Sequence, residues 1–334
     1  MDQIATWGAG HYMPDITIEC INTSYKQIDR EYDLMILDEV HQYLSEEFKK
    51  VHEIKAKKVL ALTATLPSHD EEKTQLLLDT YPICFQRTLA DGIDLGLVNP
   101  FLVYNLAVSF TKREKFMYIT YTDQFNSLSK KLKEYIKILK DNDIPCSSSS
   151  FDLAKIAKGD TTHPMNEIAT KYWKAMTLRK WVCYNAFYKR SVAKKIIEKF
   201  PEKKWIIFSE SIKFVDLLHE EMEGSIKYHS GMPTKDKTQA LEDIKSEDCK
   251  VLITAKALSR GYDLGSIDAG ISASGDSVQL RMDQELGRIL RLKEGKRALF
   301  INLYIPDTQE ESWIRNKTEH LSPLFINKID EIKE

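Results

Sequence analysis

The sequence has no long apolar run and no clustered cysteines, and each absence excludes a class of protein. No apolar stretch approaches the roughly 18–20 residues that cross a bilayer, so the sequence predicts no membrane span. Its first residues, MDQIATW, do not resemble a signal peptide. Its five cysteines form neither a CxxC pair nor a zinc-ligand spacing, which predicts reduced thiols in a cytoplasmic, intracellular protein.

The chain also has no excess of charge of one sign. Its 334 residues carry a formal net charge of −2, so no overall positive field indicates a nucleic-acid partner. A local groove of backbone N–H groups and a few cations can nevertheless hold phosphates. Hydrophobic residues make up 43% and charged residues 29%, which is typical of a globular protein, and the length suits two ordinary domains.

Short apolar strands alternate with helical patterns in two parts of the chain, residues 1–105 and 201–305, which predicts parallel α/β layers. In the first part the clearest strands are residues 34–37 and 59–62, continuous apolar runs that favour burial on both faces. The second part contains five such runs, at residues 205–208, 226–228, 251–253, 269–271 and 298–303. Helices are predicted between these runs, at residues 211–223, 234–246 and 277–291.

Helical patterns fill the remaining segments. Residues 106–200 are rich in lysine and aromatic residues and predict a helical insertion or linker, with a loop at residues 144–150. Residues 306–334 predict a C-terminal tail of one or two helices. The Lys-rich stretch at residues 130–137 favours a solvated amphipathic face, and the alternative is an insertion that contacts nucleic acid.

Two adjacent carboxylates, Asp38 and Glu39, directly follow the apolar run at residues 34–37. The carboxyl ends of parallel strands are where ligands bind in open α/β sheets. One carboxylate there can hold Mg²⁺, commonly through water, and the next can orient or deprotonate a water that attacks a γ-phosphate. The alternative is a solvated turn after a strand, and His41 on its own favours a structural role.

Hydroxyl residues follow the next strand, in the sequence Leu-Thr-Ala-Thr at residues 62–65. Thr63 and Thr65 can bond to the carboxylates of the neighbouring strand and to the other domain, which would link the site to domain movement. The alternative is a helix N-cap formed by Thr65 ahead of Pro67.

Gln284, Arg288 and Arg291 are spaced at i, i+4 and i+7, so on a helix they share one face. Two guanidinium groups on one face can clamp a triphosphate and offset the charge that develops in phosphoryl transfer. The alternative is an amphipathic helix with two surface arginines. Gly287 disfavours that alternative, because glycine inside a helix costs about 1 kcal/mol relative to alanine, and it predicts a close approach by another group.

Two further strand ends carry small polar groups. After the run at residues 251–253, Thr254 and the backbone near Gly261 can donate to a phosphate, and Asp263 can accept from a ribose hydroxyl or hold an arginine. After the run at residues 226–228, His229 can touch a nucleic-acid backbone. An ordinary loop is the favoured alternative for each of these segments taken alone.

In their order and spacing these pieces resemble the motifs of superfamily 2 helicases. The sequence DEVH at residues 38–41 is similar to motif II, TAT at 63–65 to motif III, and QELGRILR at 284–291 to motif VI. Residues 206–209 resemble motif IV, residues 254–263 motif V, and residues 16–23, which include Thr17, motif Ib. The resemblance covers roughly residues 15–70 and 200–305 and favours the DNA-directed branch of RecG-, UvsW- and XPB-like proteins.

The resemblance implies two RecA-like parallel-sheet domains, the first one incomplete, with a helical insertion between them. They would hydrolyse ATP with Mg²⁺ in their cleft and move on nucleic acid, more on DNA than on RNA. Asp38 and Glu39 would hold the metal. The residues that would take part in catalysis are Asp38, Glu39, Gln284, Arg288 and Arg291. Those that would bind the cofactor are His41, Gly261 and Asp263. Those that would couple the site to nucleic acid are Thr17, Thr63, Thr65, His229 and Thr254.

The sequence departs from the family pattern most in the P-loop, and motif Ia is missing too. No G-x-x-x-x-G-K-[ST] sequence occurs in the chain. Without its backbone donors and lysine, the β- and γ-phosphates lose most of their binding site. The sequence therefore predicts an N-terminally truncated helicase that hydrolyses ATP poorly or not at all by itself, with a missing segment or partner chain. Two alternatives remain: a non-hydrolysing RecA-like module that binds nucleic acid or a partner, and the motor of a restriction or remodelling complex.

Overall fold

The computed structural model describes the following residues: 4–6, 16–26, 28–64, 66, 71–147, 149–246, 249–255, 267–275, 282, 285–287, 289–290 and 297–333. The chain divides into two compact units, Met1–Thr88 and Leu89–Glu334. This division lies earlier than the predicted boundary at residue 105. The physical reason is the strand Phe101–Ala107, which pairs along its whole length with the strand Ala298–Tyr304 of the larger unit.

The smaller unit contains two separate two-stranded parallel sheets. Strand β1 (Ile4–Thr6) pairs with β2 (Ile16–Ile18), and strand β3 (Glu31–Leu37) pairs with β4 (Lys55–Ala61). Its helices are α1 (Ile21–Ser24) and α2 (Glu71–Thr80), with 3₁₀ turns at Val40–Leu44 and Phe48–Glu53. One face of the β3–β4 sheet, with Leu37 and Met35, packs on a small apolar core completed by the 3₁₀ turns and α2.

The other face of the β3–β4 sheet is exposed. Leu34 and Ile36 on β3 are 53% and 57% exposed, and Leu60 lies opposite Ile36 on β4 and is also exposed. The apolar runs at residues 34–37 and 59–62 therefore form strands, as predicted, but the prediction that both faces are covered is wrong for the residues that the structure describes.

The larger unit is built on a seven-stranded parallel sheet, and this confirms the predicted α/β class. Its strands are β5 (Phe101–Ala107), β6 (Trp205–Ser209), β7 (Ile226–His229), β8 (Val251–Ala255), β9 (Ala269–Ser272), β10 (Ala298–Tyr304) and β11 (Leu324–Ile326). Their order across the sheet is β11-β5-β10-β9-β6-β8-β7. The tail predicted as helical at residues 306–334 thus contributes β11 beside β5, in addition to a helix.

Helices of the larger unit cover the sheet and extend beyond it. They are α3 (Leu89–Asp94), α4 (Lys112–Asp141), α5 (Ser150–Gly159), α6 (Asn166–Tyr184), α7 (Phe187–Lys199), α8 (Ile212–Glu220), α9 (Thr234–Asp243) and α10 (Gln309–Thr318). Adjacent strand residues such as Ile206 and Ile207 pack into different cores on the two faces of the sheet. Both faces of a continuous apolar run such as β6 are therefore buried.

The helical part between β5 and β6 forms a core of its own. Helices α4, α5 and α6 pack around residues such as Leu132, Leu153 and Tyr172. Thr111 and Glu114 start α4 with a capping box, in which each side chain bonds to the other's backbone N–H. The lysines at residues 130–137 are exposed beside buried Leu132, which fits the solvated amphipathic face favoured by the sequence. Among the helices that the structure describes, none is both long and apolar enough to span a membrane.

A buried ion pair fastens α7 to α10. The Nζ atom of Lys189 lies 2.8 Å from both carboxylate oxygens of Glu310 and donates to the carbonyl of Ala273 at 2.8 Å. Glu310 also accepts from the backbone N–H of Ile305. Both side chains are almost completely buried, so their charges depend on these partners rather than on water.

Candidate functional site

Asp38 and Glu39 lie in the turn that directly follows β3. The backbone joins this turn to the loop after β4, because Val40 N–H donates to the carbonyl of Leu62 at 3.0 Å and Leu62 N–H donates to the carbonyl of Leu37 at 2.9 Å. The two predicted motifs therefore meet at the carboxyl ends of neighbouring parallel strands, the edge where α/β sheets bind ligands. Asp38 is exposed and Glu39 is half-buried.

Glu39 adopts the left-handed conformation, with φ 53° and ψ 46°. A residue with a Cβ pays roughly 1–2 kcal/mol for this conformation, and glutamate gains nothing from the local hydrogen bonds that favour Asn or Asp there. The conformation turns the chain sharply after β3 and starts the 3₁₀ turn at Val40. Such strain is typical of functional sites, where the surrounding structure holds a residue in a costly geometry.

His41 connects the two motifs through its side chain. Its Nδ1 atom lies 2.7 Å from Oγ1 of Thr63 and 3.4 Å from Oε2 of Glu39. The sequence predicted that Thr63 would bond to the neighbouring carboxylates, whereas the hydrogen bond that the structure places here runs to the imidazole of His41. His41 therefore links β3 to β4. Its imidazole, when protonated, lies close enough to Glu39 to stabilise the negative charge of the carboxylate.

Tyr43 is a member of the site that the sequence did not indicate. Its hydroxyl donates to the backbone carbonyl of Asp38 at 2.6 Å. Burial raises the pKa of Tyr43, and the charges of Asp38 and Glu39 raise it further. An aromatic residue one turn after a carboxylate pair is the signal that would have suggested it. The two carboxylates therefore disfavour a further negative charge beside them.

The carboxylates fit a magnesium ion. Oxygen atoms are the ligands that Mg²⁺ prefers, and Mg²⁺ is commonly bound by one or two carboxylates together with water and substrate phosphates. Asp38 offers an exposed carboxylate, and Oε2 of Glu39 is buried without a hydrogen bond from any described residue. No group of three or more His, Cys, Asp or Glu side chains suited to a metal occurs within the described parts of the chain, so any ion here would rely on further ligands.

Two other predicted residues of the smaller unit, Thr17 and Thr65, are not seen in this cluster. Thr17 is half-buried in the middle of β2, opposite Ala5 of β1. Its sheet is separate from the β3–β4 sheet, and its predicted contact with nucleic acid stays a prediction. Thr65 lies outside the residues that the structure describes.

Thr254 and His229 lie at strand ends, as predicted, but inside the larger unit. Thr254 is 2% exposed and sits between Phe208 of β6 and Tyr228 of β7 in the register of the sheet. His229 is 6% exposed, and its Nε2 atom lies 3.2 Å from Oδ1 of Asp216 on α8. The prediction of direct contact with a nucleic-acid backbone does not fit either side chain, because strand pairing and α8 bury them.

The remaining predicted residues, Gln284, Arg288, Arg291, Gly261 and Asp263, lie outside the described part of the chain. Their described neighbours Met282, Leu286, Ile289 and Leu290 are buried against one face of the sheet. A Cβ at Gly287 would meet nothing within 4 Å. The close approach that Gly287 was expected to allow is therefore not made by any residue that the structure describes.

Two family models match the chain on either side of the helical part. Residues 188–293 match the helicase conserved C-terminal domain. Residues 14–68 match the res subunit of type III restriction enzymes, and this range contains Asp38, Glu39 and Thr63.

Curated relatives include motors named for different nucleic acids. The DNA 3′-5′ translocase XPB2 of Sulfurisphaera tokodaii is 23% identical over 313 residues, which cover 91% of this chain and 66% of that protein. The pre-mRNA-processing ATP-dependent RNA helicase PRP5 of Vanderwaltozyma polyspora is 26% identical over 151 residues, 43% of this chain and 17% of that protein. The chain thus spans less than two thirds of the length of these relatives.

Among solved structures, S. cerevisiae Dbp5 bound to RNA and ADP BeF3 superposes with a TM-score of 0.49 at 11% identity. The superposition covers 93% of this chain and 65% of that one. A likeness of this degree carries no argument about the fold, and the assignment of the α/β fold rests on the strand order of the sheet. The family models and the curated relatives confirm the predicted resemblance of this chain to superfamily 2 helicases.

Proposed function

We propose that this chain is the motor portion of an ATP-dependent nucleic-acid helicase or translocase that works on DNA rather than RNA. The observation that carries the proposal is the cluster after β3 and β4, where a strained Glu39, Asp38 and the His41–Thr63 pair meet. The cluster lies within the range matched by the family model for the res subunit of type III restriction enzymes. The preference for DNA is supported by the translocase XPB2, which aligns with 91% of the chain, against 43% for the RNA helicase.

Each residue of the cluster has a role in this proposal. Asp38 would hold Mg²⁺ through its exposed carboxylate, and the ion when bound would neutralise charge on the phosphates of ATP. Glu39 would orient the attacking water and accept its proton, and the left-handed turn keeps its carboxylate at the edge of the sheet. His41 would hold Thr63 in register with Glu39. Gln284, Arg288 and Arg291 would contact the γ-phosphate, a role that rests on their motif alone.

The missing P-loop sequence limits the activity that we expect of the isolated chain. Backbone N–H groups and the lysine of that loop make most of the contacts that bind the β- and γ-phosphates. We therefore propose that the 334-residue chain alone binds ATP weakly and turns it over slowly.

Single-turnover hydrolysis of labelled ATP, at high protein concentration with Mg²⁺ and with or without single-stranded DNA, tests the proposal. Slow hydrolysis that DNA stimulates is expected, and Glu39→Gln should lower its rate by roughly 10²-fold or more, because it removes a general base. Glu53→Gln is the matched control, since Glu53 is an exposed glutamate of the same unit. A Glu39→Gln protein as active as the control would refute the assignment of Glu39, and fast turnover by the unmodified chain would refute the limit set by the P-loop.

The absent P-loop sequence favours a second candidate, a module that binds nucleic acid without hydrolysis. Such a module should bind with a steep salt dependence, because phosphate contacts release counterions. Binding that is unchanged by ATP, in a protein with no detectable hydrolysis at any concentration, would favour this candidate over the motor.

A further inference from the structure

One stretch of the chain has a composition unlike the rest. Residues 168–197 contain eight Lys or Arg, six aromatic residues and no Asp or Glu, in a protein whose overall net charge is −2. A basic stretch on a helix is often only a solvated face. Aromatic residues interleaved with cations have a more specific use, because they can stack on bases while the cations meet phosphates.

This stretch covers most of α6 and α7, and the elbow between the two helices lies beside the carboxyl ends of β6 and β9. The Tyr184 hydroxyl donates to the carbonyl of Gly275, and Ser211 Oγ donates to Asn185 Oδ1 at 2.7 Å. Lys189 reaches the carbonyl of Ala273. These partners, or the residues next to them, follow the last residues of the two strands, so hydrogen bonds hold the elbow at the carboxyl edge of the sheet.

The position of β6 and β9 in the sheet makes this edge a natural site for a ligand. The two strands are neighbours, but the chain leaves β6 toward β7 on one side of the sheet and leaves β9 toward β10 on the other. Such a reversal opens a crevice beyond the carboxyl ends of the two strands, where open α/β sheets bind ligands.

Three aromatic side chains of the elbow face solvent. Trp181, Phe187 and Tyr188 are 40%, 51% and 43% exposed, and the rings of Phe187 and Tyr188 lie 5.5 Å apart. We call these three residues the aromatic elbow. Lys213 Nζ, at the start of α8, lies 4.9 Å from the ring of Trp181, so a cation accompanies the exposed indole.

Further cations border the aromatic elbow at the start of α4. Phe187 N–H donates to Oε1 of Glu114 at 2.8 Å, which joins the first turn of α4 to the first turn of α7. Lys112, Arg113 and Lys115 in that turn are exposed. The carboxylate of Glu114 is engaged by Phe187 and by Thr111, so the exposed side chains of this turn are mainly cationic.

We propose that the aromatic elbow is a stacking platform for unpaired bases of a single-stranded nucleic acid, with Lys213 and the cations of α4 placed to meet its phosphates. This inference rests on the proposed function for the presence of nucleic acid and adds where, and in which form, the strand is held. Every base has an apolar face, so three exposed rings can hold a strand of any sequence. A duplex keeps its bases stacked on each other and offers the rings no such face.

Fluorescence anisotropy of the full chain with a labelled 20-nucleotide oligothymidylate, the matching oligouridylate and a duplex of equal length tests the inference. Trp181→Ala and the double variant Phe187→Leu with Tyr188→Leu should each weaken single-strand binding roughly 5- to 150-fold, the effect of losing one stacked base or more. Trp181→Phe, which keeps a ring, should recover most of the affinity. Lys213→Ala should lower the salt slope of binding by about 0.7, the value of one phosphate contact on a single strand.

Two controls separate the elbow from exposed residues in general. Phe151→Ala removes an exposed aromatic residue of α5, and Lys133→Ala removes an exposed lysine of the Lys-rich face of α4; both should bind single strands like the unmodified chain. Equal affinity of the elbow variants and these controls would overturn the inference while the proposed function stands, as would tighter binding of duplex than of single strand. Failure of the unmodified chain to bind any of the three probes would overturn the proposed function itself.

Discussion

Strand β3 in the smaller unit and strand β6 in the larger unit are both continuous apolar runs, yet they are buried very differently. Every residue of β6 is buried, whereas β3 leaves Leu34 and Ile36 more than half exposed. β6 lies between β9 and β8 and has an apolar core on each face. β3 has β4 as its single described neighbour and a core on one face. The burial of a strand therefore depends on its neighbours as much as on its own side chains.

Charged pairs show the same contrast. In the larger unit Lys189 and Glu310 are almost fully buried and share several hydrogen bonds. In the smaller unit Lys55 and Glu31 pair across β3 and β4 at 3.2 Å while both remain largely exposed. A buried charge that loses its partner is left unsolvated, whereas an exposed one returns to water.

The largest expected effect comes from breaking the buried pair. Lys189→Met should lower the free energy of unfolding by about 3–5 kcal/mol, because Glu310 keeps a buried charge without its partner. Lys55→Met should change it by less than about 1 kcal/mol, since that pair is exposed. Urea denaturation followed by circular dichroism measures both. Joint replacement, Lys189→Met with Glu310→Met, should recover much of the loss, and a Lys189→Met cost no larger than that of Lys55→Met would contradict the contrast.

An equivalent pair of apolar substitutions should give the next largest difference. Ile207→Ala on β6 removes a fully buried side chain and should cost about 2–5 kcal/mol of unfolding free energy. Ile36→Ala on β3 removes a side chain that is 57% exposed and should cost less than about 1 kcal/mol. The same denaturation assay compares them. A cost at Ile36 as large as at Ile207 would show that the exposed face of β3 is covered in solution.

The smallest expected effect is a pH dependence of the smaller unit. Burial lowers the pKa of His52 below its ordinary value of 6.5, although the carbonyl of Tyr43 opposes the shift. His52 is therefore harder to protonate in the folded unit than in the unfolded chain. The stability of the unit should be greatest above about pH 6.5 and should fall as the pH drops below that value. Hydrogen exchange of peptides covering residues 40–54, corrected for intrinsic rates, should show faster opening at pH 5.5 than at pH 7.5.

A non-titrating variant provides the check on this prediction. His52→Gln should remove the pH difference in those peptides. His219 of α8 also has a lowered pKa, caused by burial and then by the charge of Lys227, so His219→Gln should act on peptides of the larger unit instead. An unchanged pH response after His52→Gln would assign the effect to another group.

The sequence predicted the strands of the larger unit well because apolar runs bounded by polar residues mark buried parallel strands. It did not identify β5, and its boundary at residue 105 falls inside that strand, since a run such as FLVYNLA does not show which sheet it joins. It missed β11, a strand of three residues of which only Ile326 is buried, so the run carries little pattern. Strand pairing is decided by contacts between distant segments, and these are not visible in a local window.

The candidate site was predicted in part for similar reasons. Asp38, Glu39, His41 and Thr63 come together because the carboxyl ends of parallel strands share an edge, and this follows from the strand pattern. The same rule placed Thr254 and His229 at strand ends but could not tell that their side chains lie inside. Tyr43 and the left-handed turn at Glu39 depend on backbone geometry that a single sequence does not specify.

At position 39 the residue that would be best for the stability of the turn differs from the residue that hydrolysis would need. Glycine adopts this conformation without steric cost, and the relief of strain outweighs the greater entropy that glycine loses on folding. A Glu39→Gly protein would therefore gain stability in the turn while losing the carboxylate. A library of variants sorted only for resistance to heat should therefore enrich glycine at position 39, and a library sorted for hydrolysis should exclude it. The frequency of glycine at this one position would report which of the two pressures has acted on a population of sequences.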